Sequence, residues 1–140
     1  MIKEYNSLTE NEILKAKEFL EKVNIKEINN LLNNMLVLIE DDVQGIITYE
    51  NYDKTSLIRY FIYKKQVKDE TAKLLLTKTL ENIKAQGQND CVIIVDNSFL
   101  KMLDNLGFVK QEMIFLDEER IQVPKELLIL KIIFDKVSYF

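Results

Sequence analysis

The side chains able to do chemistry in this chain are few, and their types close off most mechanisms at once. There is no histidine and only one cysteine, Cys91. Ser-His-Asp triads, Cys-His pairs, histidine-ligated metals and the commonest proton acceptor at neutral pH are therefore absent. A lone cysteine also excludes an internal disulfide and a four-cysteine zinc site. Cys91 lies in an unbroken apolar run and reads as a packed strand residue rather than a reactive thiol. Asp41-Asp42 and Asp117-Glu118-Glu119 lack the alternating ligands and the glycine of a calcium loop, so they read as solvated turns and no metal is expected. Arg59 is one of only two arginines. Mid-strand, it either clamps a substrate carboxylate or pairs with Glu50 across a hairpin, and the pairing is the preferred reading.

The frame that must carry these residues is modest. The 140 residues, 47% hydrophobic and 30% charged, suit a single domain over 1–140 with one ordinary core. Nineteen basic against twenty-three acidic side chains leave a net charge of −4, which argues against a nucleic-acid partner. No apolar run approaches the ~18–20 residues of a membrane span. The first residues, Met-Ile-Lys-Glu-Tyr, lack the apolar stretch of a signal peptide, so a cytoplasmic protein with no membrane partner is expected.

Periodicity supplies the elements. Met1–Asn6 reads as a short strand. Thr9 and Glu12 form a capping box, with Leu8 and Ile13 at the staple positions. Ile13, Ala16, Leu20 and Val23 then mark a helix. Asn24, with Glu27 three residues on, reads as a second cap, and Ile28, Leu31, Leu32 and Met35 as a second, short helix. Leu36–Glu40, Val43–Glu50 and Ser56–Tyr63 are β-branched runs separated by turn residues, an antiparallel meander. Ala72, Leu75, Leu76, Leu80 and Ile83 return to helical spacing, and Gly87 ends that helix. Cys91–Val95 is apolar without alternation, as in a strand buried on both faces. Phe99, Met102, Leu103 and Leu106 mark a further short helix closed by Gly107. Phe108–Leu116 and Leu127–Val137 are two last strands, joined by a loop that contains Pro124. The order is β-α-α-β-β-β-α-β-α-β-β, an α/β (α+β) mixed sheet with helices on both faces, and a right-handed crossover is required if the strands flanking the central helix are parallel.

This order resembles that of the GNAT acyl-CoA N-acyltransferase superfamily over nearly the whole chain. Three local features carry the resemblance: Gly45 in Val43-Gln44-Gly45-Ile46-Ile47-Thr48-Tyr49, Gly87 before a buried strand, and Asn105-Leu106-Gly107-Phe108 at the end of the last helix. The resemblance implies a bulge that splays the fourth strand from the fifth, with acetyl-CoA as co-substrate laid between them like an extra strand. Backbone groups of Phe61, Ile62 and Tyr63 would then orient the thioester. The pyrophosphate loop of that family aligns with Val67, Lys68, Asp69, Glu70, Thr71 and Ala72, followed by Lys73. Ala72 suits its last position, Glu70 stands where a glycine is usual, and Val67 where Gln or Arg is usual, with Gln66 one residue away. Asp69 and Glu70 would repel a pyrophosphate and Lys64, Lys65, Lys68 and Lys73 would attract it. Asp96 and Asn97 follow the fifth strand where the family often has Asn. The family's helix tyrosine falls on Leu103, and Ser56–Tyr63 holds no carboxylate base. Tyr60 and Tyr63 are the catalytic candidates by proximity, with Glu50 and Arg59 on the substrate side.

The resemblance implies acetyl transfer to a primary amine of a small molecule or peptide by direct attack. The alternative is a catalytically silent GNAT-like fold acting as a binding or interaction module. The apolar last strand, Leu127–Phe134, and the Tyr139-Phe140 tail are expected either to cover a sheet edge or to meet a second subunit, which leaves a homodimer open.

Overall fold

The computed structural model describes residues 1–26 and 29–137. Its strands are β1 (Ile2–Glu4), β2 (Met35–Glu40), β3 (Asp42–Tyr52), β4 (Thr55–Tyr63), β5 (Asp90–Val95), β6 (Val109–Gln111), β7 (Phe115–Leu116), β8 (Glu119–Arg120) and β9 (Leu128–Ile133). The helices are α1 (Glu10–Lys22), α2 (Asp69–Ala85) and α3 (Leu100–Leu103). Seven strands form one sheet in the order β1-β2-β3-β4-β5-β9-β6, and β7 and β8 make a separate two-stranded ribbon. Neighbours pair antiparallel, except that β4 and β5, joined through α2, run parallel.

The capping box forms as expected. Thr9 Oγ1 accepts from Glu12 N–H at 3.2 Å, and Thr9 N–H donates to Glu12 Oε1 at 2.9 Å. Ala16, Phe19 and Leu20 of α1 pack with Val37, Val43 and Ile46 on one face of the sheet. On the other face Ala72, Leu75, Leu76, Leu80 and Ile83 of α2 are fully buried against Ile47, Tyr49, Cys91 and Ile93. The chain between β6 and β9 covers the α1 side of the C-terminal half, where Ile114 and Leu116 pack on Leu57, Val92 and Ile129. β5 is thus buried on both faces, which is why its sequence does not alternate.

Local chemistry overrides the periodicity in four places. Asn24 has φ 61° and closes α1 instead of opening a helix: its N–H donates to Glu21 O and that of Ile25 to Leu20 O, the paired bonds of a left-handed C-terminal cap. Of the second helix expected here, Leu32–Asn34 forms one 3₁₀ turn and Met35 begins β2, while Glu27 and Ile28 lie outside the described residues. The strand expected over Phe108–Leu116 breaks after Gln111, because Asp117 (φ 50°) and Glu118 (φ 73°) turn Phe115-Leu116 back on Glu119-Arg120. The last strand lies inside the sheet, between β5 and β6, and Tyr139 and Phe140 are outside the described residues.

Two predictions follow from the packing. Gly107 has φ +105°, and a Cβ there would overlap Val137 Cγ1, whereas Gly87 (φ +91°) has open space around it. Gly107→Ala should therefore cost about 2–4 kcal/mol and Gly87→Ala about 1–2 kcal/mol in chemical denaturation; equal losses would contradict the packing at Val137. Cys91 is fully buried, and burial pushes its thiol well above the usual range. A thiol reagent should label the unfolded chain promptly and the folded chain only at the rate of opening; prompt labelling of the folded chain would place Cys91 elsewhere.

Candidate functional site

β4 and β5 start side by side and then part. Only Thr55↔Asp90, Ser56↔Cys91 and Leu57↔Val92 pair; from Ile58 and Ile93 onward the two strands share no ladder. β5 keeps its other edge paired to β9 as far as Val95, and β4 keeps its other edge paired to β3 as far as Tyr63. The gap between them is a cleft of about 220 Å³, lined by Ile58, Arg59, Phe61, Ile93, Ile94, Val95, Asp96, Phe99 and Leu127.

The parting coincides with a bulge. Tyr49 pairs with Ile58 and Thr48 with Tyr60, so Arg59 is an extra residue on β4. The buried Thr48 hydroxyl accepts from the Tyr60 N–H at 3.2 Å, satisfying an amide next to the bulge. Beyond it the backbone direction can be read from one bond. Lys64 N–H donates to Gln44 O at 2.9 Å, and Tyr63 stands opposite Gly45. Antiparallel ladders alternate, so Phe61 and Tyr63 turn their N–H and C=O away from β3 into the gap, while Ile62 turns its own towards β3.

Side chains divide the same way. Phe61 and Tyr63 lie on the α2–α3 face, Tyr60 and Ile62 on the α1 face. The two tyrosine candidates are thus on opposite sides of the sheet. Phe61 contacts Tyr63 and Phe99, with ring centroids 5.4 and 6.2 Å apart. The Tyr63 hydroxyl lies 3.9 Å from Met102 Sδ, beside the buried Leu103. Burial, with a contribution from the Asp69 charge, raises the Tyr63 phenol above its usual value, so it holds its proton.

At the mouth, Asp96 caps a 3₁₀ turn (Asn97–Phe99), accepting from Ser98 N–H at 2.8 Å and from the Ser98 hydroxyl. These bonds hold its carboxyl below the usual range. Asn97 is exposed beside it. At the far end of β4, Lys64–Val67 makes a turn, with Val67 N–H donating to Lys64 O, and α2 begins at Asp69. Asp69 and Glu70 are exposed, and no side chain caps the helix. Thr71 and Ala72 N–H both donate to Lys68 O. Lys73 Nζ donates to Asp104 O at 3.0 Å, and Lys64 lies 3.6 Å from Asp42.

Arg59 pairs with Glu50 across the hairpin, reaching diagonally from the bulge because Leu57 stands opposite Glu50, Nε to Oε1 at 3.3 Å, and Tyr52 donates to the other Glu50 oxygen at 3.2 Å. A second, polar cleft of about 240 Å³ opens on the α1 side between Asn30, Leu31, Glu50, Arg59 and Tyr60. Arg59 walls both clefts. A larger hollow of about 400 Å³ lies between Tyr52–Thr55 and Phe115–Glu118, at the paired end of β4, and none of the expected site residues lines it. Among the described residues no three metal-ligating side chains gather, and no helix is long and apolar enough to cross a membrane. Phe99, Leu127 and Thr48 went unread as site residues. Phe99 and Leu127 carry only the signal of core residues, and Thr48 only that of a hydroxyl in an apolar strand.

No family model matches the chain, and neither does the sequence of any curated protein. Solved structures do match. An acetyltransferase from Streptococcus agalactiae is similar at a TM-score of 0.67 and 17% identity, over 95% of this chain and 97% of that one. The NatC complex bound to Gag peptide and CoA is similar at a TM-score of 0.68 and 11% identity, over 95% and 97%. N-acetylglutamate synthase from Neisseria gonorrhoeae, complexed with coenzyme A and N-acetyl-glutamate, is similar at a TM-score of 0.66 and 13% identity; 95% of this chain is covered but only 34% of that enzyme. With the strand order, the bulge and the splayed pair in common with the expectation from sequence, the chain has the fold of the GNAT acyl-CoA N-acyltransferases.

Proposed function

We propose that the protein transfers an acyl group from a thioester of the acetyl-CoA type to an amine of a small molecule or peptide. The observation that carries this reading is the parting of β4 and β5 after three pairs, which leaves Phe61 on a cleft and the β4 edge from Phe61 to Tyr63 without a β5 partner. An extended thioester arm inserted there bonds to the strand as a further strand would. Two solved structures of this fold hold CoA together with a peptide or an N-acetylated amino acid.

The mechanism uses few side chains. An N–H of Phe61 or Tyr63 orients the thioester carbonyl and stabilises the oxyanion as the amine attacks. The amine approaches from the polar cleft of Glu50, Arg59 and Tyr60, which adjoins the first at Arg59. The carbon–sulfur bond breaks, the thiolate takes the Tyr63 proton, and the proton lost by the amine passes through water to restore the Tyr63 phenol. Tyr63 rather than Tyr60 has this role because its hydroxyl reaches Met102 of α3, the residue before Leu103. The competing reading, a silent binding module, is favoured by Leu103 and by the exposed Asp69 and Glu70.

Binding is tested by thermal unfolding. Acetyl-CoA at about ten times its Kd should stabilise the protein by about 1.4 kcal/mol, a shift of a few degrees. Ile94→Trp, which fills the cleft, should remove the shift and leave the free protein folded. No shift for the wild type at millimolar ligand would leave the silent module. Tyr63→Phe should lower kcat roughly 100-fold with the thermal shift intact; full activity in that variant would remove Tyr63 from the mechanism.

A further inference from the structure

The two ends of the site are built for different chemistry. At the start of α2 some of the polar groups are committed, and the Asp69 and Glu70 N–H groups carry no side-chain cap. Val67 N–H donates to Lys64 O, and Thr71 and Ala72 N–H to Lys68 O, each at 3.0 Å. Lys73 is held by Asp104 O, and Lys64 by Asp42. What remains is Lys65 and Lys68 against Asp69 and Glu70, all exposed. Two cations facing two anions exert little net pull on a polyanion, and the carboxylates stand beside the Asp69 and Glu70 N–H groups that a helix start would otherwise present to phosphate. No glycine lies between Lys64 and Lys73 to let a phosphate reach the backbone.

The cleft between β4 and β5 is the opposite. Apolar side chains such as Ile58, Phe61, Ile93 and Phe99 line it, with Arg59 and Asp96 also in its wall, and strand polar groups face it without a ladder partner. Pantetheine is an extended, uncharged chain with two amides, matched to such a wall and such an edge.

We infer that the protein recognises its acyl donor by the pantetheine thioester arm and that the nucleotide diphosphate of CoA adds no affinity. This rests on the thioester site proposed above. It defines the donor class as acyl-pantetheine thioesters, with CoA esters as one member.

Calorimetry on the full chain separates the contributions. Acetyl-pantetheine and acetyl-CoA should bind with Kd values within about threefold of each other, and adenosine 3′,5′-bisphosphate should give no binding heat. The ratio of the two thioesters should stay constant as salt is raised, because no phosphate contact is there to be screened. Acetyl-CoA binding roughly thirtyfold or more tightly than acetyl-pantetheine, or the bisphosphate binding alone, overturns the inference while the thioester site stands. Binding of neither thioester overturns both. The double variant Asp69→Asn, Glu70→Gln should tighten acetyl-CoA severalfold and leave acetyl-pantetheine unchanged. An unchanged ratio there overturns the electrostatic argument and the inference with it.

Discussion

Three backbone pairs tie β4 to β5, and the rest of the molecule is arranged around their stopping at Leu57 and Val92. Buried strands ordinarily stay zipped, because an unpaired amide away from water costs about as much as a lost hydrogen bond. Here the separation is held from outside. β5 is fixed by its whole length on β9, and β4 by β3. The extra residue at Arg59 bends β4, and the Thr48 hydroxyl takes up the Tyr60 amide beside the bend. α2 packs under the junction with five fully buried apolar side chains, so the strands are held at their common base and cannot close on each other without repacking that face.

Such a site depends on backbone direction more than on residue identity. The groups turned into the gap are the N–H and C=O of Phe61 and Tyr63, which any side chain but proline's would leave in place. A site of this kind does not require the tyrosine and glycine that the resemblance would place at Leu103 and Glu70. The side chains instead divide the site by face. Tyr63, Phe61 and Phe99 make an apolar aromatic wall towards α3, and Glu50, Arg59 and Tyr60 make a polar one towards α1. The bulge sets this division. Without Arg59 as an extra residue, alternation would place Tyr60 on the same face as Ile58.

Much of the fold was legible because its signals are local. The Thr9–Glu12 box, the α2 stripe from Ala72 to Ile83 and the non-alternating β5 each report their own surroundings. The Arg59–Glu50 pair was legible too, since opposite charges two positions off register on one face of a hairpin lie within reach of each other. What was not legible depended on distant context. Asn24 has the composition of either cap, and only the left-handed turn at the end of α1 decides between them. The run Phe108–Leu116 has apolar residues on both sides of Lys110-Gln111-Glu112, yet its second half leaves the large sheet to cover Leu57 and Val92. Leu127 and Phe99 read as core because their unpacked side faces a cleft that no periodicity encodes. The bulge is a one-residue offset inside an otherwise regular strand, visible only once β3 is laid beside it.

The position of β9 has a kinetic meaning. The meander β2–β3–β4 closes through short turns, so its contacts form at small entropic cost. β5 meets β4 over three pairs only, and its longer partnership, residues 90–95 with 128–133, waits on a segment near the end of the described chain. During synthesis the middle of the sheet is therefore completed last, and until β9 arrives the apolar edge of β5 stands open to any other strand nearby.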